Sequence, residues 1–149
     1  MILRGLILLL ALAGLLDALY FTLAYYGRAK KARWVPAALC APESSSCARV
    51  VRTPHARLLG VPNSVLGIAY YLGLVGWILA GGSGSPAIAT AAWLRGTAWL
   101  LIAVGAGAVL LGSYLIHALW RVLHIHCPLC YAAHAINAAL LVLLILVLR

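Results

Sequence analysis

The chain has 149 residues, 66% of them hydrophobic and 9% charged. A soluble domain carries roughly 25% charged residues, so an ordinary cytosolic globule and a disordered chain are both excluded. Eleven Lys and Arg against two Asp and Glu give a net charge of +9. The bases flank apolar runs of bilayer length and never exceed two in a row, which points to lipid headgroups and not to nucleic acid as their partners.

The first apolar segment spans residues 6–26. It follows one early base, Arg4, as a signal peptide would, but it outruns the ~7–15-residue core of such a peptide and is read as a retained transmembrane helix. A basic stretch follows (Arg28, Lys30, Lys31, Arg33), and with it the cysteine-bearing loop, residues 27–63, holding Pro36, Pro42, Pro54 and Pro62 with Cys40 and Cys47. Residues 43–51 in this loop have the composition of a short helix lying on the membrane surface. The second segment spans 64–80, a Gly/Ser linker 81–86 reads as a turn, and the third segment spans 99–119. A brief link with Trp120, Arg121, His124 and His126 leads to the fourth segment, 127–148. The expected fold is therefore all-α: a polytopic, four-transmembrane-helix bundle in one domain, 1–149. Small residues at helical spacing (Gly73, Gly76, Ala80; Ala108, Gly112) suit close helix contact.

The four cysteines form two pairs, Cys40 with Cys47 and Cys127-Pro128-Leu129-Cys130. The second pair sits where a helix begins after a polar turn. Pro128 fits the first helical turn, where no backbone N–H is needed, and the free amides there favour a thiolate at Cys127. Such a pair can cycle between dithiol and disulfide. An even number of crossings separates the two pairs, so they share one membrane face. One pair is aqueous and the other lies at the lip of the hydrocarbon, an arrangement able to relay electrons from a soluble dithiol to a lipid-soluble acceptor. Three alternatives stay open on the residues alone: two structural disulfides, inert buried cysteines, or a zinc site from His124, His126, Cys127 and Cys130.

The ordered set of motifs resembles the vitamin K epoxide reductase family, including its prokaryotic disulfide-forming members. The set is Leu39-Cys40, then Cys47-Ala48-Arg49-Val50, then Gly60-Val61-Pro62-Asn63-Ser64-Val65-Leu66-Gly67, then Gly112-Ser113, and finally Cys127 to Cys130 followed by Ala135-Ile136-Asn137. The bacterial disulfide-bond formation protein B family also has four helices and two cysteine pairs, but its C-x-x-C lies in the first cysteine-bearing loop, whereas here it comes last. The resemblance implies a thiol:quinone oxidoreductase. Cys40 would meet a thioredoxin-like partner, Cys47 would exchange disulfides with Cys127, and Cys130 would face a quinone, ubiquinone or menaquinone. Many bacterial relatives carry the partner as a fused domain; this chain ends at Arg149, so a separate partner is expected. Asn63 matches the family's asparagine on the quinone carbonyl, although an Asn before a helix is also a good N-cap. The family's tyrosine four residues after the second active-site cysteine is His134 here. An imidazole can likewise donate to a carbonyl. No metal is expected in this reading.

Asp17, one of two acids, lies deep in the first segment, and His117 lies in the third. Either could pair with the other or serve proton transfer, and neither is assigned to the site. The bases divide three (Arg4, Arg95, Arg149) against eight (Arg28, Lys30, Lys31, Arg33, Arg49, Arg52, Arg57, Arg121) between the two faces. The positive-inside rule then puts all four cysteines on the cytoplasmic face. Family habit puts them outside, and cytosolic disulfides are a feature of hyperthermophiles. Two other functions stand as alternatives: a non-enzymatic zinc-binding membrane protein, and a reductase of vitamin K epoxide. A small transporter would need paired intramembrane charges along a path, and only Asp17 and a few histidines are available.

Overall fold

A computed structural model describes residues 2–28, 49–58, 60–81 and 92–148. In lipid every backbone polar group must be satisfied within its own segment, so apolar runs of this length become helices. Four form: α1 (Ile2–Tyr25), α2 (Asn63–Leu79), α3 (Ala92–Ala118) and α4 (Pro128–Leu148). Three stretches, Ile2–Tyr25, Trp93–Leu123 and Pro128–Leu148, are long and apolar enough to cross a membrane. With 17 residues, α2 is shorter; it spans about 26 Å against a hydrocarbon core of ~30 Å.

The expected start of the third segment at residue 99 is corrected: α3 begins seven residues earlier, at Ala92. Arg95-Gly96-Thr97 looks like the end of an apolar run, but a helix does not stop at the lipid boundary. Thr97 donates its hydroxyl to the Trp93 carbonyl at 2.7 Å, so its polarity is absorbed within the helix. At the other end α3 continues as a π-helical segment, Leu119–Leu123, closed by His124 in the left-handed conformation (φ 51°). Trp93 and Trp120, both exposed, stand about 40 Å apart along this path, close to the distance between the two interfacial belts of a bilayer.

Helix α1 packs against α2 and α4, and α3 packs against α4 and α2. Lipid supplies no hydrophobic drive between helices, so close packing and hydrogen bonds hold them. At Gly14 an added Cβ would collide with the Tyr71 ring, at Gly105 it would lie 2.7 Å from the Tyr70 hydroxyl, and Gly73 sits against Leu101. Gly76 has no such neighbour, so its spacing does not mark a contact. The Trp77 indole donates to the Leu94 carbonyl at 3.1 Å, the Thr22 and Ser64 hydroxyls meet at 3.0 Å, and Tyr71 donates to Asn137 Oδ1 at 2.8 Å. The outward faces carry Leu9, Leu79, Leu110 and Trp99, an apolar exterior of the kind lipid solvates.

Between α1 and α2 the described chain holds the end of a helical turn at residues 49–50, a 3₁₀ turn (Pro54–Ala56) and a two-stranded antiparallel hairpin, β1 (Arg57–Leu58) with β2 (Val61–Pro62). The remainder of the expected surface helix, and Cys40 and Cys47 with it, lie outside the described residues. The hairpin was not expected. Gly60 at its tip has φ +83°, a conformation that costs a residue with a Cβ about 1–2 kcal/mol. The Arg57 guanidinium lies 5.3 Å from the centroid of the Tyr25 ring, which pins the hairpin to the end of α1.

Candidate functional site

Cys127 precedes Pro128 at the start of α4, and its sulfur is joined to that of Cys130 by a disulfide with the Cα atoms 5.3 Å apart. The backbone N–H of Cys130 donates to Cys127 Sγ at 3.3 Å. Sulfur therefore occupies the place of a helix-capping acceptor, and the local field favours negative charge on it when the pair is reduced. Chain geometry brings the pair here: the π segment ends in the left-handed His124, the Ile125 N–H returns to the Leu119 carbonyl at 3.0 Å, and the Trp120 indole donates to the Tyr131 hydroxyl at 2.7 Å. A core of Tyr20, Phe21, Ala24, Val51, Leu119 and Ile125 encloses both cysteines.

The two sulfurs are not equivalent. Cys127 is fully buried, whereas Cys130 is 8% exposed and lines a cavity of about 510 Å³. All four helices contribute to its wall, and residues of the 49–62 stretch (Val50, Val51, Thr53, His55, Ala56, Leu58) complete it at the cysteine end. Among the described residues, no lysine or arginine lines it. The volume falls in the range of small-molecule sites.

Asn63 and His134 both line this cavity. Asn63 is the first residue of α2 and donates its amide to the His55 carbonyl at 3.1 Å; no side chain caps that helix. It thus ties the loop to the cavity wall and does not act as an N-cap. His134, one turn beyond Cys130, packs its ring against Gly112 of α3. Among the described residues four buried side-chain atoms lack a hydrogen-bond partner: Asp17 Oδ1, Asn63 Oδ1, Tyr70 Oη and His134 Nδ1. All four residues line the one cavity. Unsatisfied buried polar atoms are rare in native proteins and call for a partner; an apolar chamber lined by groups able to donate, at Asn63, Tyr70 and His134, fits a flat, mostly apolar ligand with acceptor oxygens, such as a quinone.

Other expectations separate. Asp17 lines the cavity while His117 is exposed on α3, so the two do not form a buried pair. His124 and His126 are exposed beside the buried Cys127, and among the described residues no three His, Cys, Asp or Glu side chains converge as a metal-binding group. Several lining residues escaped the sequence reading: Tyr70, Tyr71 and His55, whose Nδ1 meets the Tyr114 hydroxyl at 3.0 Å. Adjacent tyrosines in the middle of an apolar helix are a signal that could have found the first two.

A cysteine pair able to form a disulfide, held at a helix start and open on one side to an apolar cavity within a bundle of membrane helices, defines a multi-pass membrane redox protein. The chain belongs to the vitamin K epoxide reductase family, whose sequence pattern matches residues 5–145. That membership carries quinone-linked redox chemistry with it. No curated protein matches the chain closely enough to refine the assignment.

Proposed function

We propose that this chain is a prokaryotic-type thiol:quinone oxidoreductase that makes disulfide bonds. The observation that carries the reading is the placement of Cys130 on an apolar cavity whose wall also holds Asn63 and His134. Residues 1–149 act as one domain with α2 as the fourth crossing. Bound in the cavity, ubiquinone or menaquinone supplies an acceptor for two electrons and two protons.

The chain's own residues perform the rest. Cys40 and Cys47 receive electrons from a thioredoxin-like protein, which leaves as a disulfide. The Cys47 thiolate then attacks Cys127 and frees Cys130, and Cys40 attacks Cys47 to close a Cys40–Cys47 disulfide and release Cys127, whose thiolate the capping position favours. On re-oxidation the two thiols form one S–S bond and give up two electrons and two protons. Asn63 donates its remaining amide hydrogen to a quinone carbonyl oxygen, its Oδ1 accepting only from the hydroxyl formed on reduction, and the His134 imidazole offers a second contact. The apolar wall keeps water from competing for these groups.

Orientation follows the charges. Arg28, Arg49, Arg52, Arg57 and Arg121 lie on segments at the cysteine end, while Arg95 lies in the first turn of α3 at the other. By the positive-inside rule this distribution supports a cytoplasmic cysteine face, against the family's habit of an outside one. The test is turnover: purified protein in detergent, a reduced thioredoxin-like protein and a short-chain quinone, with absorbance followed over time. Wild type should reduce quinone and Cys130→Ala should not; absence of turnover with several quinones and dithiols refutes the reading.

A further inference from the structure

Asp17 is unused by the relay described above, yet it lies on the same cavity. It sits eight residues before the end of α1, about 12 Å below the cysteine end. Tyr70 and Tyr71, seven and eight residues into α2, lie at similar depth, whereas Cys130 and Asn63 occupy the first turns of their helices. The cavity therefore has a redox end and an inner end. Asp17 Oδ1 is buried without a partner at the inner end, and among the described residues no lysine or arginine lines the cavity to pair with it. The neighbouring Tyr71 hydroxyl is already committed to Asn137.

We propose that Asp17 is a catalytic residue that holds a proton at the inner end of the cavity and gives it to the quinone oxygen farther from Cys130. This inference rests on the quinone reading. An ionisable side chain within a membrane segment marks a functional site, and this one lies on the same cavity as Cys130. The balance closes. Oxidation of the Cys127/Cys130 dithiol releases two electrons and two protons, and reduction of a quinone to the hydroquinone consumes both. The proton given by Asp17 is replaced by one of those the thiols release.

The test compares wild type, Asp17→Asn, Asp17→Leu and Asp17→Glu in detergent, with dithiothreitol as reductant and a short-chain benzoquinone as probe. Asn keeps the shape and removes the acid; Leu should fold at least as well in an apolar wall. The expected result is quinone reduction about 100-fold slower in Asn and Leu, unchanged reduction of the Cys127–Cys130 disulfide by dithiothreitol, and partial rescue by Glu. Infrared difference spectra on quinone binding should show a protonated-carboxyl band in wild type that is missing in Asp17→Asn. If wild type reduces quinone and Asp17→Asn keeps within twofold of it, or if no carboxyl band responds to quinone, the inference alone falls. If wild type reduces no quinone, the underlying reading falls with it.

Discussion

Replacing Gly112 with alanine should disable His134 without touching the cysteines. A Cβ at Gly112 would stand 2.5 Å from His134 Nδ1, 3.1 Å from Cγ and 3.2 Å from Cε1, where ordinary contact begins at 3.4 Å. The imidazole must therefore withdraw by about 1 Å, and a misplacement of that size can cost about 100-fold in a positioned site. The stability cost should be at the low end of the ~1–3 kcal/mol typical of overpacking, because the ring borders the cavity and can swing into it. The assay is steady-state quinone reduction with KM and kcat separated. Gly112→Ala should raise the quinone KM at least tenfold and leave reduction of the Cys127–Cys130 disulfide by a small dithiol unchanged. Combined with His134→Ala, it should add little, since the clash and the contact vanish together. A KM within twofold of wild type, or strictly additive effects, would rule out a quinone contact at His134.

Tyr71→Phe removes the 2.8 Å bond to Asn137 that joins α2 to α4; it should lower stability in micelles by about 1 kcal/mol, and Asn137→Leu added to it should cost less than the two single losses together. Alanine at Gly60 should loosen the hairpin, because φ +83° costs a residue with a Cβ about 1–2 kcal/mol; earlier proteolytic nicking of the 49–62 stretch with α4 intact is the readout. For topology, a membrane-impermeant maleimide applied to intact cells should leave Cys40 and Cys47 unlabelled until lysis, and strong labelling beforehand would place the cysteine face outside.

The helices were legible because apolar runs of bilayer length have few other solutions in lipid. Their ends were less so. Arg95-Gly96-Thr97 concealed the start of α3, since composition marks the lipid boundary and not the end of a helix. The hairpin escaped because two strands of two residues each leave no alternating pattern; only Gly60 hinted at a turn. In the site, the C-x-x-C motif before an apolar run pointed to the pair at the start of α4, and the family's motifs singled out Asn63 and His134, which do meet on one cavity. The inequality of Cys127 and Cys130 depends on tertiary burial, which spacing does not encode. The fit of Gly112 to His134 and of Gly14 to Tyr71 depends likewise on how neighbouring helices are set against one another. Asp17 stood out in the sequence as an acid in an apolar segment, but its place among the cavity groups depends on which face of α1 meets α2.

The most direct measurement is a single turnover without any protein partner. Protein reduced by a small dithiol and then freed of it is mixed anaerobically with excess short-chain quinone, and hydroquinone formed is counted against thiols lost at all four cysteines. One hydroquinone should form for each pair of thiols that becomes a disulfide, and none in Cys130→Ala. Thiols that persist in the presence of bound quinone, or hydroquinone that forms equally in Cys130→Ala, would contradict it.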